Sequence, residues 1–501
     1  MRQRSNQLHL KTKKKGLTVK KLPKLKIETL FLVLAILFGV LTSVIQPIFS
    51  APDEYTHFKY AYSIFDSNPK RVFSEIDRQI SLLPNQPSQS EEKLATESAT
   101  ALPAPESKLQ RGYQTGNFLK QTFSKTLPVE KNLRMKISFG DIKWLPQAIG
   151  MLIGRIIHPS VGVIVLAGRL FNLFVYSVAI YFAIKKAKMG QWTMAAVALL
   201  PMSIQQAASL SYDVLYYVAI FVAFSLLTNF WVRKNPLDWK GYVYTLLTIV
   251  LLLIPKEGGL ALGLFFITVP TILFGKNNFT KLLDSFWKGC AKHKKLTALA
   301  IIFIFLAYIL YEFKNYGGAF RGLQVLFNTF FRSDLYTDLD NLLVTGMIGN
   351  FGQLTYRLPA WLVVLNFIFL FILLLAENKQ KIEMRTAVAG LLIFLAVPVM
   401  IAVGMFKGWT RNTLNLPQAM VSLGGQGRYY TPFLITLIPF GIYMKKYLNI
   451  VTKETTIRTM FKGMMLFNLV YFLILTVLYY YTKDLGVNLL PELSQHLRGL
   501  F

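Results

Sequence analysis

Two carboxylates and an imidazole lie close together just after the first apolar stretch, in the segment APDEYTHFKYAY. Asp53 and His57 are four residues apart and Glu54 precedes His57 by three, so a helix that begins near Pro52 brings them to one face. A carboxylate beside a membrane can act as a general base towards a hydroxyl or bind a divalent cation. Asp53, Glu54 and His57 are therefore candidate catalytic residues, and Asp53 with Glu54 could bind Mg²⁺ or Mn²⁺.

The same residues also fit a purely structural role at a helix start. Pro52 suits an early helical position, and Ser50 with Asp53 three residues later resembles a capping box. Acidic residues in a first turn are also favoured by the helix dipole. The spacing alone leaves both roles open.

Two further segments place polar groups between apolar stretches. Asp213 in SLSYDVLYY is either a functional group at a membrane edge or a solvated turn residue. Lys256 and Glu257 in LLLIPKEGGLALG could form an ion-paired hairpin turn. Alternatively, Lys256 binds an anionic ligand such as a phosphate, and the following glycines let backbone N–H groups approach it.

Arg428 and Tyr429 in GGQGRYYTPFL stand after three glycines, at the start of another apolar stretch. The planar fork of arginine matches the geometry of a phosphate, whereas tyrosines are common at any membrane interface. We assign Asp213, Lys256, Glu257, Arg428 and Tyr429 as candidate substrate-binding residues.

The composition indicates an all-α polytopic membrane protein. Of 501 residues, 53% are hydrophobic and only 16% are charged, yet the net charge is +30. Basic residues cluster between apolar stretches, which is typical of cytoplasmic loops and not of nucleic-acid binding. One cysteine excludes an intrachain disulfide framework.

A span needs about 20 apolar residues, and eleven candidates lie near 28–50, 161–184, 192–210, 213–232, 241–255, 258–275, 296–313, 358–377, 386–406, 429–447 and 461–482.

A shorter apolar segment at 144–158 could be a re-entrant or interfacial helix, so eleven or twelve crossings are predicted. If successive spans alternate in direction, the short basic loops lie on the same side of the membrane as the basic tail at 1–27. Short basic loops are typically cytoplasmic, which predicts a cytoplasmic N-terminus. The membrane domain then covers 28–482. Its first external loop is 51–143, with a flexible, polar part at 83–110, and a short external tail follows at 483–501.

Within the first external loop, Tyr55, Phe58, Tyr62 and Phe65 recur at three- and four-residue spacing and predict an amphipathic helix. Under the same alternation, all the candidate site segments fall on the external side. Carboxylates, a lysine, an arginine and aromatic rings on one face suit a lipid-phosphate-linked substrate.

Several motifs in this order resemble a bacterial membrane family catalogued as domain of unknown function 2142. They are PDEYTHF, LPQAIGMLIGR, GRLFNLF, SYD, PKEGG and QGRYYTP. That family is similar to GT-C glycosyltransferases, polytopic enzymes that use polyprenyl-phosphate sugars. The resemblance implies that an acidic residue of the first external loop serves as catalytic base or metal ligand, which points to Asp53, with Glu54 beside it.

These observations predict an inverting GT-C-like enzyme in the bacterial plasma membrane. It would transfer a sugar from a polyprenyl-phosphate donor to a cell-envelope glycan or glycolipid on the external face. A transporter or flippase of lipid-linked saccharides is the main alternative. It predicts charges within spans, for which Arg155 and Arg169 are the best candidates. An acyl or phosphoglycerol transferase is a third hypothesis.

Overall fold

The computed structural model describes residues 25–81, 122–130, 135, 137–254, 257–332, 334–335, 343–376, 380–448 and 453–481, with the backbone alone at 80, 81, 257 and 481. The predicted tails, except residues 25–27, and the predicted flexible segment 83–110 lie outside these residues. Within the described part the fold is helical, as the composition predicts.

The α-helices follow one another along nearly the whole described chain. In order they are α1 Ile27–Ile45, α2 Glu54–Ser63, α3 Lys70–Ser81, α4 Leu145–Ile157, α5 Val161–Lys186, α6 Gln191–Ala198, α7 Pro201–Ala207, α8 Asp213–Val232, α9 Trp239–Leu253, α10 Gly263–Phe266, α11 Asn278–Lys292, α12 Lys294–Phe313, α13 Gly318–Phe331, α14 Thr345–Gly349, α15 Ala360–Ala376, α16 Met384–Met405, α17 Ile438–Met444 and α18 Glu454–Tyr481.

Shorter elements connect these helices. A π-helical stretch at Phe406–Thr413 extends α16. The paired strands in the described residues are β1 Asn350–Phe351 and β2 Tyr356–Arg357, which are antiparallel. The 3₁₀ helices are Phe139–Trp144, Glu257–Leu262, Thr271–Phe274, Gly427–Tyr429 and Thr431–Leu437.

Six helices of the described chain are long and apolar enough to cross a membrane, namely Ile27–Ile45, Val161–Lys186, Asp213–Val232, Lys294–Phe313, Met384–Thr413 and Glu454–Tyr480. Three shorter apolar helices follow the predicted spans at Trp239–Leu253, Ala360–Ala376 and Thr431–Met444. The polytopic helical class is therefore confirmed. The number of membrane crossings and the side of the membrane on which each loop lies stay predictions.

The continuous spans predicted over 192–210 and 258–275 are wrong. The first is divided into α6 and α7, and the second into short 3₁₀ and α-helical pieces. Pro201 begins α7, where its missing N–H breaks the hydrogen-bond ladder from the preceding turn. Hydropathy detected the apolar character of these segments but could not detect the break.

The core is centred on α8, because 72% of its most apolar window is buried. It packs against α5 and against the 3₁₀ helix Thr431–Leu437. In contrast, only 11% of the corresponding window of α12 is buried. Large side chains such as Phe303 and Ile304 are exposed there. Such a continuous exposed apolar surface is typical of a lipid-facing helix.

The apolar segment at 144–158 forms α4, which folds back on α5 as a close helical pair. Glycine makes this approach feasible. A Cβ atom at Gly150 would lie 2.4 Å from the carbonyl oxygen of Ala167, and one at Gly154 would lie 2.8 Å from that of Val163. Small residues at a helix contact let the backbones come together in this way.

The predicted amphipathic helix of the first loop is present as α2. Phe58 and Tyr62 are buried in a separate apolar cluster that includes Trp144 and Val161. The aromatic face of α2 therefore packs on protein, above the pair formed by α4 and α5. This packing fixes the position of the residues that immediately precede α2.

Candidate functional site

Asp53 occupies a left-handed backbone conformation immediately before α2, with φ 58°. Its side chain forms no cap hydrogen bond to the helix, and the hydroxyl of Ser50 donates instead to the carbonyl of Pro47 at 2.8 Å. The capping box considered from the sequence is thus not formed. A non-glycine residue in this conformation is strained, and such strain is concentrated at functional sites.

Arg428 connects Asp53 with Asp213. Its Nη2 donates to Oδ2 of Asp53 at 2.6 Å, and its Nε lies 3.2 Å from Oδ2 of Asp213 as an ion pair. Nη1 donates to the carbonyl of Pro52 at 3.3 Å, and Nη2 also contacts the hydroxyl of Tyr429 at 3.3 Å. Three of the predicted site segments therefore meet in direct contact.

These three charged side chains differ in exposure. Those of Arg428 and Asp213 are 2% and 1% exposed, whereas that of Asp53 is 47% exposed. One guanidinium faces two carboxylates, which leaves one net negative charge in the group. Because Asp213 is buried, the carboxylate of Asp53 is the one that can meet an incoming molecule.

Electrostatics keeps Arg428 charged in this position. Burial disfavours the charged form, but Tyr429, Asp213 and Asp53 together raise the pKa of Arg428 above its ordinary value. Burial also raises the pKa of Tyr429, opposed by the positive charge of Arg428. The phenol of Tyr429 therefore stays neutral while its oxygen accepts the hydrogen bond from Nη2 of Arg428.

The loop before α8 is held in place by α5 and by Glu54. Asn172 donates from Nδ2 to the carbonyls of Ser209 and Ser211 at 2.8 and 2.9 Å. The backbone N–H of Leu210 donates to Oε1 of Glu54 at 3.1 Å. This loop leads directly into α8 and so determines where the side chain of Asp213 meets Arg428.

Glu54 is bound by Arg169, a residue within the apolar helix α5. Nε and Nη2 of Arg169 donate to the two carboxylate oxygens of Glu54 at 2.8 and 2.7 Å. The remaining donors contact the backbone carbonyls of Ser43, Gln46 and Pro47. Arg169 thus closes the chain reversal between α1 and α2, and the carboxylate of Glu54 is fully engaged within the protein.

A second arginine within an apolar helix anchors the segment just after α2. Nη1 of Arg155 lies 3.3 Å from Oδ2 of Asp66, and Nη2 contacts the carbonyl of Glu130. Both side chains are at least 94% buried. The sequence marked Arg155 and Arg169 only as charges within apolar stretches. Their need for a buried acidic partner was the signal that could have identified Asp66 and assigned Glu54 to a structural pair.

His57 is buried on α2 among aromatic rings. Its ring lies 5.0 Å from that of Trp144 and 5.1 Å from that of Tyr212, which precedes Asp213. Lys143 places its ammonium 4.9 Å from the ring centre of Tyr212. His57 therefore packs beside Tyr212, the residue that precedes Asp213.

The structure does not describe the side chains of two further predicted site residues, Lys256 and Glu257. Lys256 lies outside the described residues, and Glu257 is described only as the first backbone position of a 3₁₀ helix. Their predicted roles in substrate binding stay predictions.

A metal ion bound by Asp53 and Glu54 does not fit the observed contacts. Both carboxylate oxygens of Glu54 accept hydrogen bonds from Arg169. Among the residues that the structure describes, no group of three or more histidine, cysteine or acidic side chains has the arrangement of a metal site.

A comparison with models of known protein families finds one family that matches the part of the chain containing this site. The family described as "Predicted membrane protein (DUF2142)" matches residues 36–437, more than half of the chain. No curated protein and no solved structure matches. The matched region includes Asp53, Asp213 and Arg428. Together with the six long apolar helices, the match identifies a multi-pass membrane protein.

Proposed function

Because the chain belongs to the DUF2142 family of predicted membrane proteins, we propose that it is a membrane glycosyltransferase of the GT-C type. The donor is a polyprenyl-phosphate sugar, and the acceptor is a cell-envelope glycan or glycolipid at the external face of the bacterial plasma membrane. The observation that carries this proposal is the half-exposed carboxylate of Asp53, held by a buried arginine beside a second, buried carboxylate.

In this proposal Asp53 accepts the proton of the acceptor hydroxyl. The hydroxyl oxygen bonds to the anomeric carbon while the bond from that carbon to the phosphate oxygen breaks. Polyprenyl phosphate leaves, and Asp53 later releases the proton to water. The single displacement inverts the anomeric centre. The excess negative charge of the group also favours the positive charge that develops on the sugar ring.

The remaining residues receive supporting roles. Arg428 and Asp213 orient Asp53, since both are buried and Arg428 is already balanced by two acids. Glu54 fixes the turn that carries Asp53. Lys256 remains the proposed contact of the donor phosphate, because a lysine ammonium can pair with phosphate oxygens.

A transporter of lipid-linked saccharides is the second candidate. It is favoured by the division of the buried segment 191–207 into two short helices. Interrupted helices often line binding sites in transporters. A transporter would move the lipid across the bilayer without forming a glycosidic bond.

Mass spectrometry of cell-envelope glycans tests the proposal. We would compare the wild type, a deletion strain, and deletion strains complemented with Asp53→Asn or with Asp77→Asn. Asp77 is an exposed carboxylate of α3 that accepts a hydrogen bond from the hydroxyl of Tyr55. It serves as the matched control, because asparagine keeps an acceptor oxygen for Tyr55. We expect one sugar to be lost in the deletion and in Asp53→Asn, but retained in Asp77→Asn at equal protein abundance.

The opposite pattern would refute the base assignment. A normal glycan in the Asp53→Asn strain means that Asp53 has only a structural role. Purified protein in vesicles that contain a polyprenyl-phosphate hexose then distinguishes the two functions. Movement of this lipid between leaflets without a glycosylated product would establish the transporter.

A further inference from the structure

Helix α11 lies directly before α12, which is long and apolar enough to cross a membrane. A single residue, His293, separates the end of α11 from the start of α12. Large apolar side chains are exposed along α12 from Leu296 onwards, so the lipid-facing surface of α12 begins close to the end of α11. This end of α11 therefore lies near the boundary between the hydrocarbon core of a bilayer and its headgroups.

A contact with α16 places the middle of α11 at the same boundary. The guanidinium of Arg385, the second residue of α16, lies 5.2 Å from the ring centre of Trp287 on α11. Helix α16 begins the apolar segment Met384–Thr413, which is also long enough to cross a membrane. Helix α11 is thus held where two candidate spans begin.

One side of α11 packs on the protein, and another side is uncovered. The packed side includes Leu283 and Trp287, which are half-buried. Phe279, Leu282 and Phe286 form an apolar strip at three- and four-residue spacing, and they are 56%, 69% and 55% exposed. Exposed phenylalanine and leucine on one face of a helix with a charged opposite face are typical of helices that lie in a membrane interface.

The charged face of α11 is a lysine row. Lys281, Lys288 and Lys292 are spaced by seven and four residues, so they lie along one side of the helix, and all three are exposed. Among the described residues, these lysines form no ion pair with an acidic side chain. The surrounding segment 275–295 contains six lysines and one acidic residue, Asp284. The lysine row therefore keeps a positive charge that can attract an anion.

We propose that α11 is an interfacial helix that binds the anionic headgroups of phospholipids. The apolar strip enters the outer part of the acyl-chain region, while the flexible lysine stems extend along the helix and bring their ammonium groups to the lipid phosphates. Pairing of α11 with its counterpart in a second copy fits less well, because the two lysine rows would repel each other. This surface is separate from the group around Asp53, and the inference does not depend on the proposed transferase activity.

Fluorescence quenching by lipids tests this inference on the full chain. Cys290 is the single cysteine, so a Cys290→Ser background with Ser285→Cys carries one small fluorophore on α11. Ser285 is exposed and lies between the apolar strip and the lysine row, because Leu282 precedes it by three residues and Lys288 follows it by three. The protein is placed in phosphatidylcholine vesicles. At equal mole fraction, the vesicles contain either a phosphatidylglycerol or a phosphatidylcholine with a nitroxide near the headgroup end of its acyl chain.

The proposal predicts a preference that depends on salt. In about 0.01 M salt we expect the phosphatidylglycerol to quench about fivefold more strongly than the phosphatidylcholine, the effect of one lysine at an anionic surface. In about 1 M salt, where the Debye length is about 3 Å, the two lipids should quench almost equally.

Three sets of changes locate the binding. Lys281→Gln, Lys288→Gln and Lys292→Gln together should remove the preference and leave quenching by phosphatidylcholine nearly unchanged. Arginine at the same three positions is the matched control and should keep the preference, because the charge is retained. Leu282→Gln with Phe286→Gln should reduce quenching by both lipids, because the apolar strip no longer holds the helix in the bilayer.

Equal quenching by the two lipids in low salt would overturn the proposal, and this comparison leaves the lysine row intact. Absence of quenching by either lipid would also overturn it, because α11 would then lie away from the bilayer and its uncovered side would face a protein partner. A preference that persisted in the folded glutamine variant would show that other basic residues attract the lipid. Thermal unfolding verifies that each variant is folded.

Discussion

Arg428 donates a 2.6 Å hydrogen bond to Asp53, which lies 375 residues earlier in the chain. The same guanidinium lies 3.2 Å from Asp213 at the start of α8. One buried cation thus joins the turn after the first span, the central helix of the core and the glycine-rich segment near the end of the family region. Of its two acidic partners, only Asp53 is exposed enough to react.

Replacement of Asp53 by glycine should separate stability from activity. The backbone of Asp53 has φ 58°. This left-handed conformation costs a residue with a Cβ atom about 1–2 kcal/mol, whereas glycine adopts it without strain. We therefore expect Asp53→Gly to be more stable than Asp53→Ala by about 1 kcal/mol, while the proposed transferase activity falls by about 10²–10⁴-fold in both. Thermal unfolding and an assay of glycan transfer measure the two effects.

Asp53→Asn completes this comparison, because asparagine tolerates the left-handed conformation better than most residues. It should retain most of the stability and lose the activity. If all three variants remained active, the carboxylate of Asp53 would not be the catalytic base.

The pair of Arg169 and Glu54 should behave as one buried unit. Arg169→Leu or Glu54→Gln leaves a buried charge without its partner, so each should lower the free energy of unfolding by about 3–5 kcal/mol. The double variant Arg169→Leu with Glu54→Gln should cost less than the sum of these two single changes. Denaturation in detergent measures this coupling, and strictly additive losses would contradict it.

Gly427 should tolerate no side chain. A Cβ atom there would lie 2.0 Å from the carbonyl carbon of Gly346, and backbone cannot yield as a flexible side chain can. We expect Gly427→Ala to displace Arg428, to lower the melting temperature and to abolish activity. Gly425→Ala is the matched control, since its nearest neighbour would be the hydroxyl of Tyr430 at 3.3 Å. Equal tolerance of both changes would show that this close approach is not required.

Tyr429 should contribute to the loss of stability at high pH. Its pKa is raised in the folded protein, chiefly by burial, so above pH about 10 the unfolded chain releases a proton that the folded protein retains. This contribution is fully present below pH 10 and decreases as the pH rises further. Between about pH 9.5 and about pH 11, around the ordinary pKa of tyrosine, the stability of Tyr429→Phe should therefore fall less steeply than that of the wild type. Parallel curves for the two proteins would contradict this prediction.

The sequence by itself determined the class of this protein and much of its outline. Long apolar stretches predict helices because a membrane-spanning helix needs about 20 apolar residues in succession, and this information is local. The same applies to α2, whose aromatic residues repeat at helical spacing. The alternation of basic loops also predicted one shared face for Asp53, Asp213 and Arg428, which the structure brings into contact.

Only the tertiary structure decided how the two adjacent acids differ. Glu54 is bound by Arg169 and holds the turn, whereas Asp53 projects towards Arg428 and solvent. The spacing of the acids could not separate these roles, because ion pairs form between residues more than a hundred positions apart in the chain.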